Sequence, residues 1–232
     1  MALGSYVPTG TRGRLHTVPD VASDTFALIG ATQTLTNKTL TSPVINNPIT
    51  SVHVGTKTGA TVTAVEYGNG VNHQTVLTLA ATPITVTDTT PVVGAGNTLI
   101  YTFPEGRILI LGTTAYSTFT TTSVVASTLK ASKNCVWSLG SIAAASTGGA
   151  GTLTAGEITW LPSTACVSGT TINVANTVTS GALASSAQYD GTTTAAPVYL
   201  NFAVVTATDI DGDATVAANG VITLNWIWLG DY

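Results

Sequence analysis

The sequence predicts an all-β protein: a jelly-roll-like or related antiparallel β-sandwich with an extended N-terminal arm. One residue in five is threonine, and valine is also frequent; a branched Cβ packs well on a pleated strand. No segment carries the run of Ala, Leu, Glu, Lys and Arg that a long helix favours. Turn residues separate short apolar segments roughly every 8–20 residues, which is typical of a sandwich or jelly roll.

Alternation of apolar and polar residues locates the strands. The C-terminal pair is the clearest, because Tyr199 to Val205 alternates and the chain returns as GVITLNWIWLGDY. We expect these two strands to form a hairpin through a turn at 209–219, and we expect long loops at 143–156 and 168–194. The predicted strands are 61–66, 74–79, 84–88, 98–103, 107–111, 136–142, 157–161, 198–205 and 221–229.

Low charge characterises the whole chain and bears on its partners. Charged residues make up 8% of the sequence, against roughly 25% in ordinary soluble domains. A protein that works packed in an assembly can cover itself with hydroxyls and amides instead. The net charge is −4 and the seven Lys and Arg residues are scattered. Nucleic-acid binding needs clustered cations, so we expect no nucleic-acid partner.

Two cysteines, Cys135 and Cys166, lie 31 positions apart. Free buried thiols are the favoured interpretation, and a disulfide stays open as the alternative. The first twenty residues contain no apolar stretch of the kind found in a signal peptide. No apolar run reaches the roughly 20 residues of a membrane helix. We therefore expect neither a signal peptide nor a membrane partner.

The sequence carries no recognisable catalytic motif. Asp209, Asp211 and Asp213 bring three carboxylates together, but the glycine spacing of an EF-hand loop is missing, so a turn is favoured over calcium. The three histidines, His16, His53 and His73, have no ligand-spaced partners, and each is expected at the surface or an interface. All four tryptophans, Trp137, Trp160, Trp226 and Trp228, fall in predicted strands, which favours core packing over a sugar platform. We expect a non-enzyme with no catalytic residue, metal or cofactor.

Residues 33–50, QTLTNKTLTSPVINNPIT, differ from the rest of the chain. Leu35, Leu40 and Ile45 recur at five-residue steps, and Pro43 and Pro48 repeat the same step. That spacing does not fit a helix, and the prolines exclude one. The segment is predicted to be an extended ribbon that needs another surface to lie on. We therefore divide the chain into an arm, residues 1–55, and a β-sandwich domain, residues 56–232.

The sequence LTNKTLTSPVI, residues 35–45, resembles a segment that recurs in virion proteins of tailed bacteriophages, in tail fibres and in capsid-associated proteins. The C-terminal NWIWLGDY is similar to the ends of phage structural proteins. The resemblance implies a capsid decoration, or cement, protein on the exterior of the virion. Its partners would be the major capsid protein and itself, as a homotrimer or alternatively a dimer. The arm residues expected to bind are Leu35, Lys38, Leu40, Pro43, Val44, Ile45, Pro48 and Ile49.

Three other functions stay open. A tail- or head-fibre protein would use the β domain to bind a host-surface glycan, with the ribbon as its attachment segment. Fibres usually carry longer repeats or coiled-coil heptads, which this sequence lacks. A secreted carbohydrate-binding module is disfavoured by the lack of a signal peptide, and an enzyme comes last.

Overall fold

A computed structural model describes residues 53–68, 70–89, 92–121, 129, 132–145, 151–178 and 188–231. Within these ranges the chain is almost entirely antiparallel β-sheet, and its helical segments are short 3-10 turns at Ala155–Ile158 and Ala207–Asp209. The prediction of an all-β fold is confirmed. The predicted arm lies outside the described residues except for its last three positions, so its boundary with the domain stays a prediction.

Eleven strands follow one another within the described ranges. They are β1 (Thr56–Lys57), β2 (Val62–Gly68), β3 (Asn72–Thr89), β4 (Val92–Thr102), β5 (Gly106–Thr121), β6 (Asn134–Gly140), β7 (Leu161–Val167), β8 (Gly169–Val178), β9 (Gln188–Gly191), β10 (Pro197–Val204) and β11 (Ala214–Gly230).

The strands form one curled sheet in the hydrogen-bonded order β7-β6-β10-β4-β3-β11-β5-β8. Three further strands attach beside this path: β1 pairs with β4, β2 with β3 and β9 with β5. All pairings are antiparallel. The curl turns one face inward to form the core, an arrangement consistent with a β-sandwich.

Strand β11 is central, with β3 on one side and β5 on the other. Its side chains alternate between the two faces, as the period of a strand requires. Ile222, Leu224 and Trp226 are fully buried, while the intervening Thr223 and Asn225 are half-exposed. The binary pattern of the sequence therefore sets which side of the sheet faces the core.

A β-bulge bends the long strand β3. Ala80 and Ala81 lie opposite the single residue Asn219, because the register passes from Leu79↔Gly220 to Thr82↔Ala218. Ala81 has a φ of 53°, and its N–H donates to Asn219 Oδ1 at 2.7 Å. Before the bulge β3 pairs with β2, and beyond it β3 pairs with β4. The bulge thus marks the corner at which the sheet changes direction.

Aromatic side chains fill the core in two groups. Phe119 packs on Trp137 and Phe202, with ring centroids 5.4 and 5.2 Å away. Phe103 makes edge contacts with Tyr101, Trp160 and Trp226 at 5.2–5.5 Å. Trp137, Trp160 and Trp226 are buried and Trp228 is partly buried, which agrees with the predicted core role of the tryptophans.

Three predictions about local structure are wrong. Residues 157–161 were expected to be a strand, but Ala155–Ile158 forms a 3-10 turn with a capping box between Thr154 and Glu157, and β7 begins only at Leu161. The predicted loop 168–194 contains strands β8 and β9. The predicted C-terminal hairpin does not pair, because β10 lies between β4 and β6 while β11 lies between β3 and β5.

Adjacent positions on the two faces of β11 provide a test of this packing. Ile222→Ala removes a fully buried side chain and should lower the free energy of unfolding by about 2–5 kcal/mol. Thr223→Ala, one residue along on the outer face, should cost less than about 1 kcal/mol. Urea unfolding of both variants checks the difference, and equal losses would contradict the assignment of the faces.

Candidate functional site

The predicted binding residues, Leu35 to Ile49, lie outside the described residues, so their role stays a prediction. The described chain begins at His53, within the last three positions of the predicted arm. We call residues His53–Lys57 the arm root, because whatever the arm binds is connected to the β domain through them.

An aromatic stack holds the first residue of the arm root. The His53 imidazole lies on the Trp228 indole with 3.4 Å between centroids and 12° between planes. Trp228 is fixed in turn, since its Nε1 donates to Glu105 O at 3.1 Å and its backbone N donates to Val71 O at 2.8 Å. His53 was expected at the surface or an interface, and it is half-buried against this ring.

Gly55 passes too close to the core to carry a side chain. A Cβ at this position would lie 2.3 Å from Thr102 O and 2.3 Å from the Tyr101 hydroxyl. The Gly55 N–H donates to that hydroxyl at 3.0 Å. Thr56 and Lys57 then pair with Thr102 and Tyr101 of β4. The arm root is therefore bound to β4 by strand pairing and by a hydrogen bond to the Tyr101 side chain, and the close approach at position 55 requires glycine.

The Tyr101 hydroxyl leads into a buried polar network centred on Glu66. Both Glu66 carboxylate oxygens accept hydrogen bonds or ion-pair contacts: Oε1 lies 3.1 Å from His73 Nδ1, and Oε2 accepts from Thr75 Oγ1 at 2.7 Å and from Tyr101 OH at 3.3 Å. Thr75 also accepts from Trp226 Nε1 at 2.8 Å. The network thus joins β2, β3, β4 and β11 through side chains.

Burial governs the electrostatics of this network. Glu66 is 6% exposed and His73 is 4% exposed. Burial raises the pKa of the Glu66 carboxyl above its ordinary value of 4.5, and the hydrogen bond from Thr75 and the proximity of His73 oppose that shift. Burial and the nearby Glu66 charge also raise the pKa of Tyr101. The contacts from Thr75 and His73 thus offset part of the free-energy cost of burying the Glu66 charge.

His73 lies parallel to the Trp226 indole, with 4.0 Å between centroids and 11° between planes. Its Nε2 has no hydrogen-bond partner among the described residues. His73 was expected at the surface or an interface, and this prediction is wrong. Sequence alternation could have indicated its burial, because His73, Thr75, Leu77 and Leu79 occupy one face of β3. Its partner Glu66 could not be identified from spacing, since the hairpin register decides that contact.

Two of the three clustered aspartates make contacts, Asp213 with a backbone N–H and Asp209 with a lysine. Asp213 Oδ1 accepts from Asp88 N at 2.9 Å, and Asp88 Oδ2 accepts from Gly212 N at 2.8 Å. Asp209 Oδ1 lies 2.9 Å from Lys133 Nζ. Within the described ranges, no group of three or more His, Cys, Asp or Glu side chains is placed to share a metal ion. The segment connects β10 to β11, which do not pair with each other, and it is not the Asp-Gly hairpin turn that was expected.

An uncharged surface covers part of the outer face of the sheet over β2, β3, β11 and β5. Cross-strand register aligns twelve positions in three rows, and none of the twelve is charged. Gln74 Nε2 donates to Asn225 Oδ1 at 3.0 Å within the surface, and Val65 and Tyr116 are 40% and 48% exposed. We call these residues the outer-face patch: Thr63, Val65, Tyr67, Gln74, Val76, Thr78, Gly112, Thr114, Tyr116, Val221, Thr223 and Asn225.

Comparison with protein-family models, with curated proteins and with solved structures finds no match. Among the residues that the structure describes, no helix is both long and apolar enough to span a bilayer.

The buried Glu66 carboxyl should make stability depend on pH. Because its folded pKa is raised above 4.5, the folded state holds more protons than the unfolded state between the two pKa values. The contribution of Glu66 to stability is then fully present below pH 4.5 and is lost as the pH rises through the folded pKa. Over that rise the free energy of unfolding of the wild type should fall relative to that of Glu66→Gln, which cannot titrate at this position. Urea unfolding at a series of pH values measures this change.

The control is Glu105→Gln, which removes the same charge from an exposed side chain. The free energy of unfolding of the wild type should not fall relative to that of Glu105→Gln over the same pH range. If the wild type instead gains stability relative to Glu66→Gln as the pH rises, burial does not dominate the titration of this carboxyl.

Proposed function

We propose that the protein is a non-enzymatic structural protein of a phage virion, most specifically a capsid decoration protein on the outer shell. The observation that carries this proposal is the ribbon at residues 33–50, whose wording is similar to segments of phage particle proteins. In this proposal the ribbon lies across neighbouring capsomers, and the β domain is the body that it attaches.

The arm root supports this division of roles. A segment that bears load must be joined firmly to its domain. His53 is stacked on Trp228, Gly55 is hydrogen-bonded to Tyr101, and Thr56–Lys57 is paired with β4. Through Tyr101 these contacts extend to the buried Glu66 carboxylate. Tension on the arm would therefore be carried by the core of the sheet.

The uncharged outer-face patch supports the proposal that the protein works as part of an assembly. Charged residues are depleted in the centres of protein interfaces, and the patch has none over four strands. Cementing requires added interface that must be broken before capsomers separate, which stabilises the shell. Further copies of the chain and the major capsid protein are the proposed partners, with a homotrimer as the expected oligomer.

The alternative proposal is a tail- or head-fibre protein that binds a host-surface glycan. Sugar platforms use exposed aromatic rings. Trp137, Trp160 and Trp226 are buried, and Trp228 is partly buried beneath His53, so the described tryptophans do not form such a platform, and decoration is the preferred proposal. A positive glycan array with the isolated domain would reverse this preference.

Shell binding tests the role of the arm. The purified protein should bind empty capsid shells saturably and raise their melting temperature, and deletion of residues 1–50 should abolish binding while the β domain keeps its far-UV circular dichroism. A triple variant Leu35→Ser, Leu40→Ser, Ile45→Ser should weaken binding at least tenfold through lost apolar contact. The matched control Thr36→Ser, Thr41→Ser, Thr39→Ser should bind normally. Full coating by the truncated protein would contradict the arm assignment.

A charge placed on the outer-face patch tests its part in the assembly. Val65→Lys introduces a cation at a position that is 40% exposed, and Val205→Lys introduces the same cation outside the patch at 41% exposure. Val65→Lys should lower the affinity for shells, because a desolvated unpaired charge is costly at an interface, while Val205→Lys should not. The two variants should have similar melting temperatures in isolation. Equal binding by both would exclude the patch from the interface.

A further inference from the structure

The two cysteines of the chain, distant in sequence, lie directly opposite each other on neighbouring strands. Cys135 of β6 and Cys166 of β7 are register partners in an antiparallel pair. Both are free thiols, 1% and 3% exposed. Residues directly opposite in such a pair have Cα atoms about 4.5–5.5 Å apart, which falls within the range that a disulfide spans. The backbone spacing of the pair is therefore compatible with a disulfide.

The surroundings of the pair favour the protonated form of the Cys166 thiol. Contact with the Cys135 thiol, and then burial, raises the pKa of Cys166 well above its ordinary value. Cys135 Sγ lies 3.5 Å from Lys133 O, to which it donates. Because the thiolate is the nucleophile, a pair of this kind reacts slowly and stays reduced where reductant is plentiful.

Strand β7 lies at one end of the hydrogen-bonded order, with β6 as its partner on the sheet. Its exposed Pro162 cannot donate a backbone hydrogen bond, a feature of edge strands. Ser168 follows β7 and is bound to the Lys133 segment, since Ser168 N donates to Lys133 O at 3.0 Å and Lys133 N donates to Ser168 Oγ at 3.0 Å. The thiol pair therefore lies near the end of an edge strand, where a covalent bond would hold it to the sheet.

We propose that Cys135 and Cys166 form an oxidative modification site, at which a low-molecular-weight disulfide converts the two thiols into a cross-strand disulfide that fastens β7 to β6. One cysteine thiolate attacks a sulfur of the small disulfide, breaks its S–S bond and releases one small thiolate. The second cysteine thiolate then attacks the protein sulfur of the mixed disulfide and releases the second small thiolate. The protein loses two protons and two electrons, and the oxidant becomes two thiols.

The timing of this step follows from where the thiols meet an oxidant. Disulfides form readily outside the cell and rarely in a reducing cytosol. If the protein is a virion component, as proposed above, it would assemble in the reduced form and become cross-linked after release. The timing rests on the proposed function, but the chemistry depends only on the geometry of β6 and β7.

The test uses the full-length folded protein and oxidised glutathione as the probe. After incubation, free thiols are alkylated under denaturing conditions, and the intact mass is measured without reductant. We expect a monomer that has lost two hydrogen atoms and takes up no alkyl groups or glutathione. Its melting temperature should rise by on the order of 10 °C, because the bond closes a loop of the unfolded chain. Dithiothreitol should reverse both changes.

Cys166→Ser is the matched control. Under the same treatment, this variant should not lose two hydrogen atoms, and its melting temperature should not rise. If this variant does not fold, the comparison of oxidised and re-reduced wild type provides the same readout. The same treatment of urea-unfolded protein, which should form the bond, shows that the oxidant is active. Two alkylated thiols after treatment of the folded protein would then overturn the proposal. A disulfide between two chains, or a lower melting temperature after oxidation, would also overturn it.

Discussion

The structure depends on the double-sided pairing of β11. This strand runs for 17 residues and is hydrogen-bonded to β3 along one edge and to β5 along the other. Its inward residues, including Ile222, Leu224 and Trp226, are fully buried. A one-residue slip would carry all of them to the solvent face. The register of β11 therefore fixes the positions of both neighbours, the corner at Ala81 opposite Asn219, and the aromatic groups of the core.

The second constraint is the buried Glu66 carboxylate. An ionised side chain inside a core is tolerated only when donors surround it, and here His73, Thr75 and Tyr101 converge on it from β3 and β4. Tyr101 also accepts from Gly55, so the network ends at the arm root. The buried polar network and residues His53–Lys57 are thus connected to each other through the Tyr101 hydroxyl.

Much of the fold could be predicted, because strand alternation is a local property. The segments around Leu77, Ile100, Phe202 and Ile222 were located correctly, and the tryptophans were assigned to the core. The errors arose where tertiary contacts override local pattern. At 157–161 the apolar residues favour a strand, but Asn201 and Ser138 donate to Glu157 O at 2.9 and 2.6 Å and help to fix a 3-10 turn. At 168–178 threonine-rich sequence resembles a loop until β5 provides a partner edge.

The sequence by itself determined an all-β chain, its inward and outward positions, its low charge and the distinct composition of residues 33–50, because composition and periodicity are properties of the linear chain. The tertiary structure alone decided that Glu66 meets His73 and Tyr101, that Cys135 faces Cys166, and that β10 and β11 part instead of pairing. These contacts join residues 7 to 35 positions apart in the network and 31 apart in the thiol pair. Strand register and sheet order create them, and neither is encoded in any single segment, because a strand can pair with whichever edge buries its apolar face best.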